Sequence, residues 1–225
     1  MKTPFVQTVL AILRKDLQAE LRSRELISLM LMFTLMSILI FSFALELNRV
    51  AREEAITGVL WVTVVFSSIL GLNRSMVIER EQGSMDAMLL APISRTAIFM
   101  GKFLANFLFT FAVGLLLLPL MTVLYNKALT DPRIVLILLL GTGGFCVAGT
   151  LISAMTTQTR AREALLPIAL LPIVLPALLA AVRASTGILT DSTFDDWFGW
   201  AQILIAADVL YVVLAVLLFQ YAIEE

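Results

Sequence analysis

LISLMLMFTLMSILIFSFAL, residues 26–45, runs for twenty positions without one charged side chain. A helix rising about 1.5 Å per residue carries such a run across roughly 30 Å of hydrocarbon while satisfying its own backbone hydrogen bonds. Five more stretches of this kind follow, at 56–73, 103–125, 134–155, 165–182 and 201–221. The pattern predicts an all-α polytopic membrane protein, with six transmembrane helices forming one domain over residues 1–225.

Composition agrees with that reading. The 225 residues are 60% hydrophobic and 15% charged, with a mean hydropathy of +0.97, more apolar surface than a water-soluble core can bury. The formal net charge is −1 and no Lys/Arg run is present, so nothing here follows a phosphate backbone and nucleic acid is excluded as a partner. Histidine is absent and Cys146 is the single cysteine. That removes the usual general base, the commonest haem and zinc ligand and any disulfide framework, so no metal site and no cofactor is expected on this chain.

Upstream of the first span, residues 1–25 interleave Arg14, Lys15, Asp16, Glu20, Arg22, Arg24 and Glu25 with Val6, Val9, Leu10, Leu13, Leu17 and Leu21. Apolar side chains at three- and four-residue steps predict an amphipathic helix along the membrane interface. A secretory signal has a short basic start and a brief apolar core, whereas here a charged helix precedes a full-length span. Eleven Lys and Arg residues fall on the side of the termini, against Arg49, Arg52, Lys127, Arg133 and Arg183 on the other. The positive-inside rule then places both termini in the cytoplasm.

The longest connection on that side, residues 74–96, has the most distinctive chemistry. It carries Glu79, Arg80, Glu81, Gln82, Gly83 and Ser84, then Met85, Asp86, Ala87, Met88, Leu89, Leu90 and Pro92. Ser84 can cap a short helix with Asp86 in its first turn and Pro92 at its end. Met85, Met88 and Leu89 would share one face, a knob suited to a groove on a motor protein. An ordinary interfacial loop helix fits the same residues. Gly101 and Lys102 make the only Gly-Lys pair, but Phe103 follows and the upstream glycine of a nucleotide-binding loop is missing. Lys102 is therefore expected to snorkel out of the membrane edge without further role.

Three spans hold polar or helix-bending residues. In residues 134–155, Gly144 and Ala148, and Gly149 and Ser153, form small pairs four apart that allow close helix contact. Pro167, Pro172 and Pro176 in residues 165–182 predict kinks or local unwinding, as hinges or as packing features. Asp208 is the one acid inside a span, about 10 Å below the outer end of residues 201–221. An unpaired charge there costs several kcal/mol, so a wet cavity, a partner or a proton is required. The outer segment 183–200 contains Phe194, Asp195, Asp196, Trp197, Phe198 and Trp200, read as an interfacial aromatic belt, with a haem-handling loop as the sharper alternative.

An amphipathic first helix, six spans and an acidic Gly-Ser loop between spans two and three resemble ABC-2-type permeases, and more closely the cytochrome c maturation protein B (CcmB) family, the haem exporter permease. The matching stretches are WVTVVFSSILGLNR at 61–74, EREQGSMDAMLLAP at 79–92, LLLGTGGFCVAG at 138–149 and LLPIALLPIVLPALL at 165–179. The loop is the most specific of the four; Arg162 and Glu163 depart from the small residues expected before span five. The resemblance implies a bacterial inner-membrane protein without catalysis of its own, coupled to a separate ATP-binding cassette subunit through Glu79, Glu81, Gly83, Ser84, Met85, Asp86, Met88 and Leu89. It further implies a haem-handling membrane protein, a small accessory subunit and a haem chaperone as partners. ATP is then held by the ATPase and haem by the partners, and a second copy of this chain is a further candidate neighbour. An ABC-2-type permease for another substrate, a secondary transporter built on Asp208, and an intramembrane enzyme using Glu79, Glu81 and Asp86 stand as alternatives.

Overall fold

The computed structural model describes residues 4–45, 49–81, 93–156 and 162–222, and every regular element among them is helical. The order is α1 (Phe5–Ser23), α2 (Glu25–Ala44), α3 (Arg49–Glu81), α4 (Arg95–Tyr125), α5 (Pro132–Thr156), α6 (Arg162–Leu189) and α7 (Phe194–Ala222). Six of these, α2 to α7, are long and apolar enough to cross a membrane. The chain is a multi-pass helical membrane protein.

Several helices outrun the spans read from hydropathy. α3 has 33 residues and α4 has 31, so α3 is about 50 Å long at 1.5 Å per residue, well beyond a 30 Å hydrocarbon layer. Apolarity marks the stretch that suits lipid, whereas a helix continues until its capping or turn chemistry ends it. Residues 183–200 are accordingly not a long loop. α6 runs on to Leu189 and α7 starts at Phe194, which leaves only a tight turn where Asp191 adopts a left-handed conformation (φ 49°). The aromatic residues assigned to that loop lie in the first turns of α7, where Phe194 stacks on Phe198 with centroids 4.9 Å apart and meets Trp197 edge-on at 5.1 Å. Asp195 and Asp196 also occupy that first turn, a favourable place for acids at the positive end of a helix dipole.

α5, α6 and α7 pack mutually, α3 lies against α2, α4, α5 and α6, and α1 lies on α4. The interior of this bundle is made by apolar residues such as Leu60, Ile137, Leu138, Leu170 and Ala184, all fully buried. Close approach at α5 depends on missing side chains: a Cβ on Gly141 would stand 2.3 Å from the Trp61 ring, and one on Gly149 would stand 2.5 Å from Leu72. The Trp61 indole spans the contact and donates to Ser185 Oγ on α6 at 3.0 Å. No unwinding occurs at Pro167, Pro172 and Pro176, since α6 is continuous through all three. Each proline removes a single backbone donor, and the neighbouring helices hold the rest of the segment in place. The Tyr211 hydroxyl donates to Ile173 O at 2.8 Å between two of these prolines, tying α7 to this stretch.

Candidate coupling site

Residues 82–92 lie outside the described residues, and with them Gly83, Ser84, Met85, Asp86, Met88 and Leu89; Glu81 is described as helical backbone only. The two roots of that connection are described. α3 brings Glu79 to one of them, and Ser94, whose side chain accepts from the Ala97 N–H, opens α4 at the other. Two turns into α4 stand Gly101 and Lys102.

Lys102 does not snorkel. Its side chain is 4% exposed, its ammonium donates to Asp16 Oδ2 at 2.7 Å, and it pairs with the Glu79 carboxylate. Lys15 adds a second cation, 3.1 Å from Asp16 and 3.9 Å from Glu79. Two acids and two bases from α1, α3 and α4 thus meet in one neutral cluster. Snorkelling was expected because Lys102 precedes the apolar run by a single residue; it fails because α1 covers that edge. The cover is possible at Gly101, where a Cβ would stand 2.8 Å from Ile12 of α1 and 3.4 Å from Val9 O.

A second acid of α1 works in the same direction. Glu20 is 5% exposed, and its carboxylate accepts the Ile27 N–H at 2.8 Å and the Leu26 N–H at 3.3 Å. Arg24, in the left-handed conformation at φ 56°, donates its N–H to Glu20 O at 2.7 Å and forms the elbow between α1 and α2. Glu20 therefore caps the first turn of α2 from the preceding helix, supplying acceptors that its free amides need. Arg74 of α3 pairs with Glu25 at the head of α2, and Asn106 of α4 donates to Thr150 of α5 at 3.3 Å one turn deeper. The side-chain contacts of Lys102, Glu20, Arg74 and Asn106 all join different helices at the end of the bundle where residues 82–92 attach.

Asp208 is a separate feature. It stands fourteen residues from either end of α7, at mid-helix, because α7 begins seven residues before the apolar run. Its Oδ1 is buried against Gly144, where a Cβ would sit 1.8 Å from that oxygen, and it has no hydrogen-bond partner among the described residues. Gly144 and Gly149 both stand at helix contacts, with α7 and with α3 and α6 respectively. Pro172 and Pro176 flank the carbonyl that Tyr211 holds. Among the described residues no group of three or more His, Cys, Asp or Glu is placed to hold a metal ion.

Sequence reasoning named Glu79 and missed Asp16, Glu20 and Lys102. A readable signal existed: Val9, Ile12, Asp16 and Glu20 fall at three- and four-residue steps, so the two acids share a stripe with apolar residues.

Six long apolar helices, with a charged first helix fastened at one end to both roots of residues 82–92, define a polytopic helical membrane protein. The comparisons narrow the class. The profile of the family described as CcmB protein matches residues 7–225, and the chain belongs to that family. Heme exporter protein B of Rhodobacter capsulatus is 30% identical over 172 residues, covering 75% of this chain and 78% of the relative. The proteins of the same name from Paracoccus denitrificans and Pseudomonas aeruginosa are 29% and 28% identical, covering 77% and 69% of this chain and 80% and 71% of their own lengths.

Proposed function

We propose that this chain is the membrane-spanning subunit of an ABC transporter complex acting in haem export for cytochrome c maturation, driven by a separate ATP-binding cassette subunit. Family membership supports the complex, and the similarity to heme exporter protein B supports haem export. The observation that carries the coupling reading is the buried cluster of Lys102, Asp16 and Glu79 at both roots of residues 82–92. With both roots held this way, displacement of Glu79 or of the head of α4 would drag α1, and α1 would pass the motion to α2 through Glu20. Nucleotide-driven closure of the partner would push on Glu81, Gly83, Ser84, Met85, Asp86, Met88 and Leu89, and the bundle would convert the push into a change at its outer surface. In this scheme the protein sits in the bacterial inner membrane with both termini cytoplasmic. ATP stays on the cassette subunit and haem on the haem-handling membrane protein and the chaperone, with a small accessory subunit completing the assembly.

Replacing Met88 and Leu89 together by Asp tests the scheme. Loss of the ATPase from preparations of the otherwise well-folded variant is expected, whereas undiminished co-purification would remove the coupling role of the loop. A carrier working without ATP draws on one observation, the unpartnered Asp208 oxygen at mid-helix. Transport that collapses with an uncoupler and ignores the loop substitutions would favour it.

A further inference from the structure

In sequence α1 carries bases and acids close together. In space they are sorted. Asp16 and Glu20 are both turned inward, one to Lys102 and the other to the amides of α2. Arg14, Arg22 and Arg24 are exposed and form no ion pair among the described residues, and Lys15 stands half-exposed beside them. The outward side of α1 and its elbow thus presents three arginines with no acid paired to them among the described residues, while Lys15 turns its ammonium to Asp16 and Glu79. Val6, Leu10 and Leu21 share that outward side at 64%, 55% and 72% exposure, so bases and bare apolar side chains alternate along one helix. The inward stripe is fixed at Gly101 by Ile12 and Val9, and this fixes the direction in which the basic face looks.

We infer that the outward face of α1 and its elbow is a binding surface for anionic phospholipid headgroups of the leaflet in which α1 lies. Apolar side chains that enter the acyl boundary keep the helix at the depth of the phosphates, and Arg14, Arg22 and Arg24, spread over about 15 Å of chain at 1.5 Å per residue, act on the same headgroup layer. A cleft of about 430 Å³ between α1, the elbow and α3 gives a headgroup somewhere to enter, with Arg22, Ser23 and Ser75 among its lining residues. The four acids that also line it are already engaged, Glu25 by Arg74, Asp16 and Glu79 by Lys102, and Glu20 by the amides of Leu26 and Ile27. This reading depends on the geometry of α1 and not on the transported species.

The full chain purified in mild detergent should retain phosphatidylglycerol and cardiolipin several-fold above their share of the source membrane, measured by mass spectrometry of the extracted lipid. Replacing Arg14, Arg22 and Arg24 together by Gln should return the ratio to that of the membrane, while Lys127 and Arg133 replaced by Gln, at the opposite end, should leave the enrichment intact. In nanodiscs, added phosphatidylglycerol should raise the thermal midpoint of the parent chain and not of the triple variant, and the rise should shrink in 0.5 M salt, on the order of a 4 Å screening length. Absence of enrichment in the parent chain, or equal enrichment in the triple variant, overturns the inference. So does a triple variant that loses its ATPase partner with lipid retention unchanged, because the face would then belong to a protein.

Discussion

The two ends of the bundle treat their lysines in opposite ways. Lys102, at the end that carries α1, is 4% exposed and engages Asp16 and Glu79 from two other helices. Lys127, at the far end, is 38% exposed and stands 3.5 Å from Glu53, itself 62% exposed. Nearby, Arg52 donates to Leu124 O at the carboxyl end of α4 and lies 5.1 Å over the Tyr125 ring, while Arg133 and Asp131 form an exposed local pair that holds the Asp131 carboxyl below the usual range. Charges at the far end trim helix termini in contact with solvent. At the α1 end they are structural members, because removing one leaves others buried without compensation. A cooperative junction belongs where an applied push has to pass between helices, and a loosely held rim belongs where the helices are free to respond to it.

Substitution of Lys102 by Met puts the greatest stress on that contrast. The stem is replaced by one of similar length, but the Asp16 and Glu79 carboxylates lose their shared buried partner and keep only the half-exposed Lys15 beside them. Breaking a buried ion cluster from one side costs about 3–5 kcal/mol, so the thermal midpoint of the detergent-purified chain should fall by many degrees. Adding Asp16→Asn and Glu79→Gln to the same variant should recover much of the loss, since the orphaned charges then disappear. A single variant as stable as the parent would mean that the cluster holds nothing together.

Glu20 gives an intermediate effect and separates capping from ion pairing. Its carboxylate serves two amides of α2 and, among the described residues, no cation, so Glu20→Gln should keep an acceptor and lose little, whereas Glu20→Ala should cost about 1–2 kcal/mol, the usual loss of an N-terminal cap. Hydrogen exchange at Leu26 and Ile27 is the sensitive measurement. Faster exchange there in the Ala variant alone identifies the cap, and equal protection in both variants would transfer the stability of the elbow to its apolar contacts.

Six spans were legible because lipid imposes its demand on each segment separately: twenty uncharged residues at 26–45 announce themselves without reference to the rest of the chain. Family membership was legible in the four quoted stretches, which keep their order along the chain. Helix ends were less so. Nothing in local apolarity says that α7 begins at Phe194, seven residues before the apolar run. The cluster was the least legible, since it joins residues up to 86 positions apart and its assembly depends on Gly101, a residue whose contribution is the absence of a side chain. A lysine one position outside an apolar run looks like a snorkelling lysine until the helix above it is in place.

The far end supplies the smallest effect, and the contrast is sharpest there. Lys127 and Glu53 both keep most of their hydration, so their attraction is weak, screened by salt and offset by the entropy of holding two long side chains. Lys127→Gln should therefore change stability by at most about 1 kcal/mol, and the shift should vanish in high salt. The same thermal measurement made on Lys102→Met should be almost insensitive to salt, because ions do not enter a cluster whose central lysine is 4% exposed. Two lysine substitutions, one set of salt concentrations and one readout thus distinguish a structural charge from a surface charge. If both variants responded to salt alike, the α1 end would be as open to solvent as the far end, and α1 could not transmit force through Asp16.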